Sequence, residues 1–274
     1  TTIRFERRDA PLYVAAMEER LTDAAVTVQN EEGDPARRQR LMEDALAQGA
    51  DLLVYTSSDA NLAAGALRAA EEAGVPVLPY EHDAIGGAAE AHVLFNALAV
   101  AQAQGARAAE LIERMPEDTV RVARVKGSQG EFGTTQYVIG QNEYLDPLIE
   151  SDRVEVVCED FTPNWDPVLA QNFAEDCLTR TAGQMDMFLG MNDGTTGGAV
   201  SELISQGYQP GEVVVTGGQD ATIEALQFIV QGWQGNTVFK DLRVMAEAAA
   251  DLSDDILAGE ELWEEWIHGT VNNE

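Results

Sequence analysis

Short β-branched runs alternate with helix-period segments along almost the whole chain, and the series runs through twice. This alternation constrains the fold most, because a strand–helix–strand series builds βαβ units around a parallel sheet. In the first series strands are expected at 26–29, 51–56, 75–80 and 92–95. Asp34 and Pro35 supply an N-cap and an N1 proline for a helix with the apolar face Leu41, Met42, Ala45 and Leu46, and Gly49 stops it. Asp59 caps a helix running to Ala73, and an alanine-rich helix follows at 97–114. Met115, Pro116, Glu117 and Asp118 then break the pattern.

The second series places strands at 120–125, 154–158, 185–189 and 213–216, and residues 237–239 follow it. Its helices fall near 134–149, after Asp166 and Pro167, and at 195–206 and 221–230; an amphipathic helix at 242–257 is assigned back to the first domain. The expected fold is α/β, with two doubly wound parallel-sheet lobes joined by a multi-crossing hinge. One lobe would hold 1–114 plus 241–274 and the other 115–240, with crossings near Met115 and Lys240.

With 274 residues and 45% hydrophobic composition, the chain can bury a substantial core. Its net charge is −31, and its only lysines are Lys126 and Lys240. Such a surface repels nucleic acid and anionic lipid, so neither is expected as a partner; it reads instead as a solubility adaptation to high salt. No run reaches the ~18 apolar residues of a membrane span, and no leader pattern opens the sequence, so a mature secreted form is expected. Cys158 and Cys177 lack CxxC spacing, leaving one disulfide or two buried thiols, with the disulfide favoured.

In doubly wound sheets ligands gather at the carboxyl ends of the strands. Those positions hold Glu81, His82 and Asp83, then Gly127 to Glu131, Trp165, Asn192 and Asp193, Gln219 and Asp220, and Lys240. Carboxylates and amides bridge vicinal hydroxyls, a cation donates to oxygens, and an indole packs on a C–H face, so the mixture suits a sugar. Each has an ordinary reading as well: Asn192 and Asp220 can simply cap helices, and Trp165 can be core or surface. The Gly-rich run from Asn192 to Gly198 lacks the lysine and the order of a phosphate loop. The three histidines, His82, His92 and His268, belong to no catalytic motif, and no EF-hand or metal spacing is present. No enzyme activity, cofactor or metal is expected.

Six segments carry a resemblance: 3–7 (Ile-Arg-Phe-Glu-Arg), 28–30, 49–54, 191–199 (Met-Asn-Asp-Gly-Thr-Thr-Gly-Gly-Ala), 216–221 and 237–241 (Thr-Val-Phe-Lys-Asp). On these the chain resembles the type I periplasmic sugar-binding proteins of ABC importers, in the branch that binds D-xylose and related aldoses. The resemblance implies a periplasmic or extracellular monomer, with or without a lipid anchor, that delivers a monosaccharide to a membrane ABC permease and catalyses nothing. It also implies a ligand site of Arg4, Glu81, His82, Trp165, Asn192, Asp220 and Lys240, with Trp165 stacking on the pyranose and Arg4, Asn192, Asp220 and Lys240 bonding hydroxyls. A hinge that samples open and closed arrangements, biased by sugar, goes with it.

Three departures bear on this. Glu81 and His82 stand where the family has Asp-Arg, removing a bidentate guanidinium. The stretch Gln129, Gly130, Glu131, Phe132 and Gly133 replaces a proline and paired asparagines. An apolar strand before residue 3 and an extended segment after Asn272 are absent, which reads as trimming. The main alternative is a sugar-sensing module that presents ligand to a membrane receptor or kinase. A repressor effector domain is disfavoured by charge, and a doubly wound enzyme would be exposed by turnover of its sugar.

Overall fold

The computed structural model describes residues 10–22, 24–30, 34–56, 64–81, 91–260 and 262. The chain divides into two compact units, Thr1–Phe95 with Asp241–Glu274, and Asn96–Lys240.

In the first unit the described helices are α1 (Ala10–Arg20), α2 (Pro35–Ala47) and α3 (Ala64–Ala73), and the strands are β1 (Leu53–Tyr55) and β2 (Val77–Pro79). β1 and β2 pair in parallel from Leu53 with Val77 to Tyr55 with Pro79. On one side Tyr13 and Met17 of α1 and Leu21 just after it pack with Leu78, Tyr80 and a later helix, Leu242–Ala258, through Met245, Ala246 and Ala249. On the other, Met42 of α2 and Leu67 and Ala70 of α3 enclose Tyr55 and Val77. Among the described residues, two expected strands are not formed. Residues 26–29 join no described ladder, and 92–95 contributes the bridge from Val93 to Tyr80; alternation alone makes no strand, which needs a paired neighbour as well. Helix α1 was not foreseen.

The second unit contains α4 (Ala97–Glu113), β3 (Val120–Lys126), α5 (Phe132–Glu150), β4 (Val154–Phe161), α6 (Pro167–Arg180), β5 (Met187–Leu189), α7 (Asp193–Ser205), β6 (Val214–Thr216), β7 (Gly218–Gln219), α8 (Ile223–Val230) and β8 (Thr237–Val238); α9 is the Leu242–Ala258 helix of the first unit. The parallel strands lie in the order β4-β3-β5-β6. Helices cover both faces: Ala108 and Ile112 of α4 and Leu145 of α5 pack on Val122, Val154 and Met187, while Ala174 of α6 and Ala199 and Leu203 of α7 pack on Ala123, Phe188 and Val215. This is the doubly wound arrangement.

The first division of the chain falls between Phe95 and Asn96 rather than after Arg114. Helix α4 belongs with the second unit because it lies directly against α5, where a Cβ on Gly140 would come within 2.6 Å of the Ala101 methyl. The Met115–Asp118 break ends α4 without ending the unit. In β4 the register slips by one residue, so that Val122 faces Val156 and Ala123 faces Cys158. A one-residue bulge reverses which face later side chains occupy, and it brings Cys158 to the α6 face, where it is disulfide-bonded to Cys177.

Candidate functional site

From β3 the chain runs out to β4 on one side and returns to β5 on the other, so the topological switch point lies at the carboxyl ends of β3 and β5. Gly127 and Ser128 follow β3, and Asn192 follows β5 at the start of α7. The hydroxyls of Thr134 and Ser128 are enclosed there without a hydrogen-bond partner among the described residues. A hidden, unsatisfied hydroxyl is a site for a ligand or a water to bond.

Trp165 ends a short 3-10 turn, Pro163–Trp165, that carries the chain from β4 to α6. Asn164 and Trp165 both take left-handed backbone, φ 57° and 56°, an uncommon conformation that turns the indole back toward the end of β3. The indole N–H donates to Glu131 Oε2 at 2.6 Å. Its ring meets Tyr137 edge-on, with centroids 5.8 Å apart and planes at 86°. Gly127 lies beneath it: a Cβ there would overlap the indole and sit 2.6 Å from Thr134 Oγ1.

The Tyr137 hydroxyl donates to Gln219 Oε1 at 2.7 Å. Burial pushes its phenol up, Lys240 opposes the rise, and Asp220 and Glu131 add to it, so three charged site residues are felt at one buried ring. Strands β7 and β8 pair Gly218 with Thr237 and Gln219 with Val238. Their ladder continues with Asp220 N donating to Val238 O at 3.0 Å, which carries Asp220 alongside Lys240. Lys240 Nζ lies 2.9 Å from Asp220 Oδ1, with side-chain exposures of 9% and 1%.

Asn192 is the N-cap of α7, its Oδ1 accepting from Thr195 N at 2.8 Å. The cap uses the carboxamide oxygen and leaves the amide to donate. Asp193 ties three segments together: Thr222 N donates to Oδ2 at 2.8 Å, while Thr237 Oγ1 at 2.7 Å and Gln234 Nε2 at 3.3 Å donate to Oδ1. Burial holds its pKa above the usual carboxylate value, with Asp220 adding to the rise against these hydrogen bonds. Thr222, not Asp220, caps α8. Asp220 is therefore released from capping, at φ 99°.

Beneath the site runs a buried polar relay. Gln104 of α4 donates to Met191 O at 3.0 Å and Gly217 O at 2.7 Å. Gln141 of α5 donates to Gln104 Oε1 at 3.0 Å and Gly190 O at 2.9 Å, and accepts from Arg124 Nε at 3.1 Å. The relay fixes the backbone just beyond β5 and β6, which carries Asn192 and Gln219.

Of the seven residues read from the sequence, Trp165, Asn192, Asp220 and Lys240 belong to this unit, and the ion pair brings Asp220 and Lys240 into contact. Glu81 belongs to the first unit, just past β2 at φ 66°, with its N–H donating to Val93 O. Arg4 and His82 lie outside the described residues. Not foreseen were Tyr137, Thr134, Gln104, Gln141 and the roles of Glu131 and Asp193. The signal for three of them was present: Thr134, Tyr137 and Gln141 recur at helical spacing and form a buried polar stripe on α5. Among the described residues no cluster of His, Cys, Asp and Glu could hold a metal ion.

A family model described as "periplasmic binding protein domain" matches residues 8–261. The chain is 26% identical over 261 residues to the D-xylose-binding periplasmic protein of Escherichia coli, covering 94% of this chain and 76% of that one. It is 28% identical over 262 residues to the D-xylose-binding periplasmic protein of Haemophilus influenzae, covering 95% and 76%. Among solved structures, an ABC transporter solute-binding protein of Clostridium phytofermentans with bound β-D-glucose aligns with a TM-score of 0.83 at 23% identity, covering 94% of this chain and 82% of that one. That likeness establishes the fold.

Proposed function

We propose, for a chain that belongs to the periplasmic binding protein family by its match over residues 8–261, that it captures one neutral monosaccharide outside the cytoplasm, hands it to an ABC-type permease and releases it chemically unchanged. The observation that carries this reading is the joining of Trp165, through Tyr137 and Gln219, to the Asp220–Lys240 pair at the strand ends. An aromatic face beside a buried carboxylate–ammonium pair and unsatisfied hydroxyls matches the two chemistries of a pyranose, apolar C–H on its face and hydroxyls around its rim.

Arg4, Glu81 and His82 complete the proposed ligand set. Xylose-like aldoses are the first candidates, since two relatives named for D-xylose align along most of the chain. Loss of a guanidinium at His82 would shift preference among aldoses. An extracytoplasmic location is supported by the Cys158–Cys177 disulfide, a bond that persists in oxidising compartments. Among the described residues no helix is long and apolar enough to cross a membrane. With its acidic surface, the protein is proposed to work in high salt as a monomer, with no nucleic-acid partner.

Thermal shift at molar salt against xylose, glucose, galactose, arabinose, ribose and inositol tests this, because stabilisation follows affinity. A shift by one or more neutral sugars, with the sugar recovered at unchanged mass, is the expected result. No shift by any, or turnover of the sugar, overturns it.

A further inference from the structure

We propose that Glu131 is a positioning residue for Trp165: its carboxylate fixes the plane of the indole on which the sugar stacks. The role of the indole rests on the monosaccharide reading above. Glu131 stands at the N-cap of α5, where a side chain ordinarily turns to bond the first free N–H groups of the helix. Here it makes no such bond. It reaches instead to Trp165 Nε1 at 2.6 Å, a short hydrogen bond to a charged acceptor.

Three constraints then act on one ring. Gly127 admits the indole only because it has no Cβ, Tyr137 meets its edge, and Glu131 holds its N–H. The first two crowd the ring; among the described residues, the hydrogen bond is the contact that fixes the direction of its N–H. A half-buried ring left to rotate would have to be ordered when sugar arrives, and that cost would reduce affinity.

The test uses the whole protein labelled with 15N-tryptophan, its Trp165 indole resonance assigned with Trp165→Phe, and calorimetry with D-xylose and D-glucose. Glu131→Gln retains a carbonyl acceptor and should keep the indole N–H downfield and slow to exchange, with affinity within about threefold of wild type. Glu131→Ala should move the resonance upfield, speed its exchange and weaken sugar binding about 5–10-fold, the cost of ordering one side chain on binding. Its melting temperature should fall modestly, by the loss of this hydrogen bond and not of a helix cap. An unchanged indole signal in Glu131→Ala overturns the proposal. So does loss of affinity in Glu131→Gln with the indole signal intact, which would make the carboxylate a direct ligand contact. If wild type binds neither sugar, the functional reading fails, while the indole arm in ligand-free protein still decides whether Glu131 orients the ring.

Discussion

Lys240 Nζ and Asp220 Oδ1 are 2.9 Å apart, with only 9% and 1% of the two side chains exposed. Removing one member of such a pair takes a close counter-charge from a buried group, and that usually costs about 3–5 kcal/mol. Lys240→Met should therefore lose both sugar binding and several kcal/mol of stability in chemical denaturation. Combining it with Asp220→Asn should restore much of the stability and none of the binding, separating the two roles of the pair.

Gly127→Ala would drive a methyl into the indole of Trp165 and toward Thr134 Oγ1. Overpacking of this kind costs about 1–3 kcal/mol. The expected outcome is a lower melting temperature with a disproportionate loss of sugar affinity, read by calorimetry on the folded variant.

Asp193 gives an unusual pH signature. Its folded pKa lies above the ordinary 3.8, so on acidification the native state binds the proton before the unfolded chain does. Its ionised form is the unfavourable one in the fold, and its contribution to stability falls as pH rises through the folded value. Denaturation of wild type and Asp193→Asn should show a difference in stability that moves in favour of wild type as pH is lowered from neutral toward 3.8. A difference independent of pH would show that Asp193 is not perturbed.

The Cys158–Cys177 bond links β4 to α6 across 19 residues, within the core on the α6 and α7 face. Its loss should cost about 2–4 kcal/mol. Cys158→Ser with Cys177→Ser should thus melt earlier and no longer respond to reductant, yet bind sugar as wild type does.

These outcomes rest on features that the sequence discloses unevenly. The strand–helix series from 120 to 240 is legible because its signals are local: Asp166 before Pro167 and Asn192 three residues before Thr195 mark helix starts by side-chain chemistry alone, and both caps form. Placement of Asp220 and Lys240 at strand ends is legible for the same reason. The membership of α4 is not, because it depends on Gly140 meeting Ala101 across 39 positions of sequence. Neither is the clamp on Trp165, which requires a tryptophan in left-handed backbone, where propensity would place glycine or asparagine. Asn192 and Asp220 each read as cap or ligand from the sequence, and geometry settles the capping alone: Asn192 caps α7 through its carboxamide oxygen, whereas Thr222 takes that task from Asp220 at α8.

The most direct measurement is calorimetric titration of D-xylose and D-glucose into wild type, Trp165→Ala and Asp220→Ala, each shown to be folded by circular dichroism. Wild type should bind at least one of these aldoses saturably and one-to-one, and neither variant should bind any. Binding retained by both variants would contradict the proposed site.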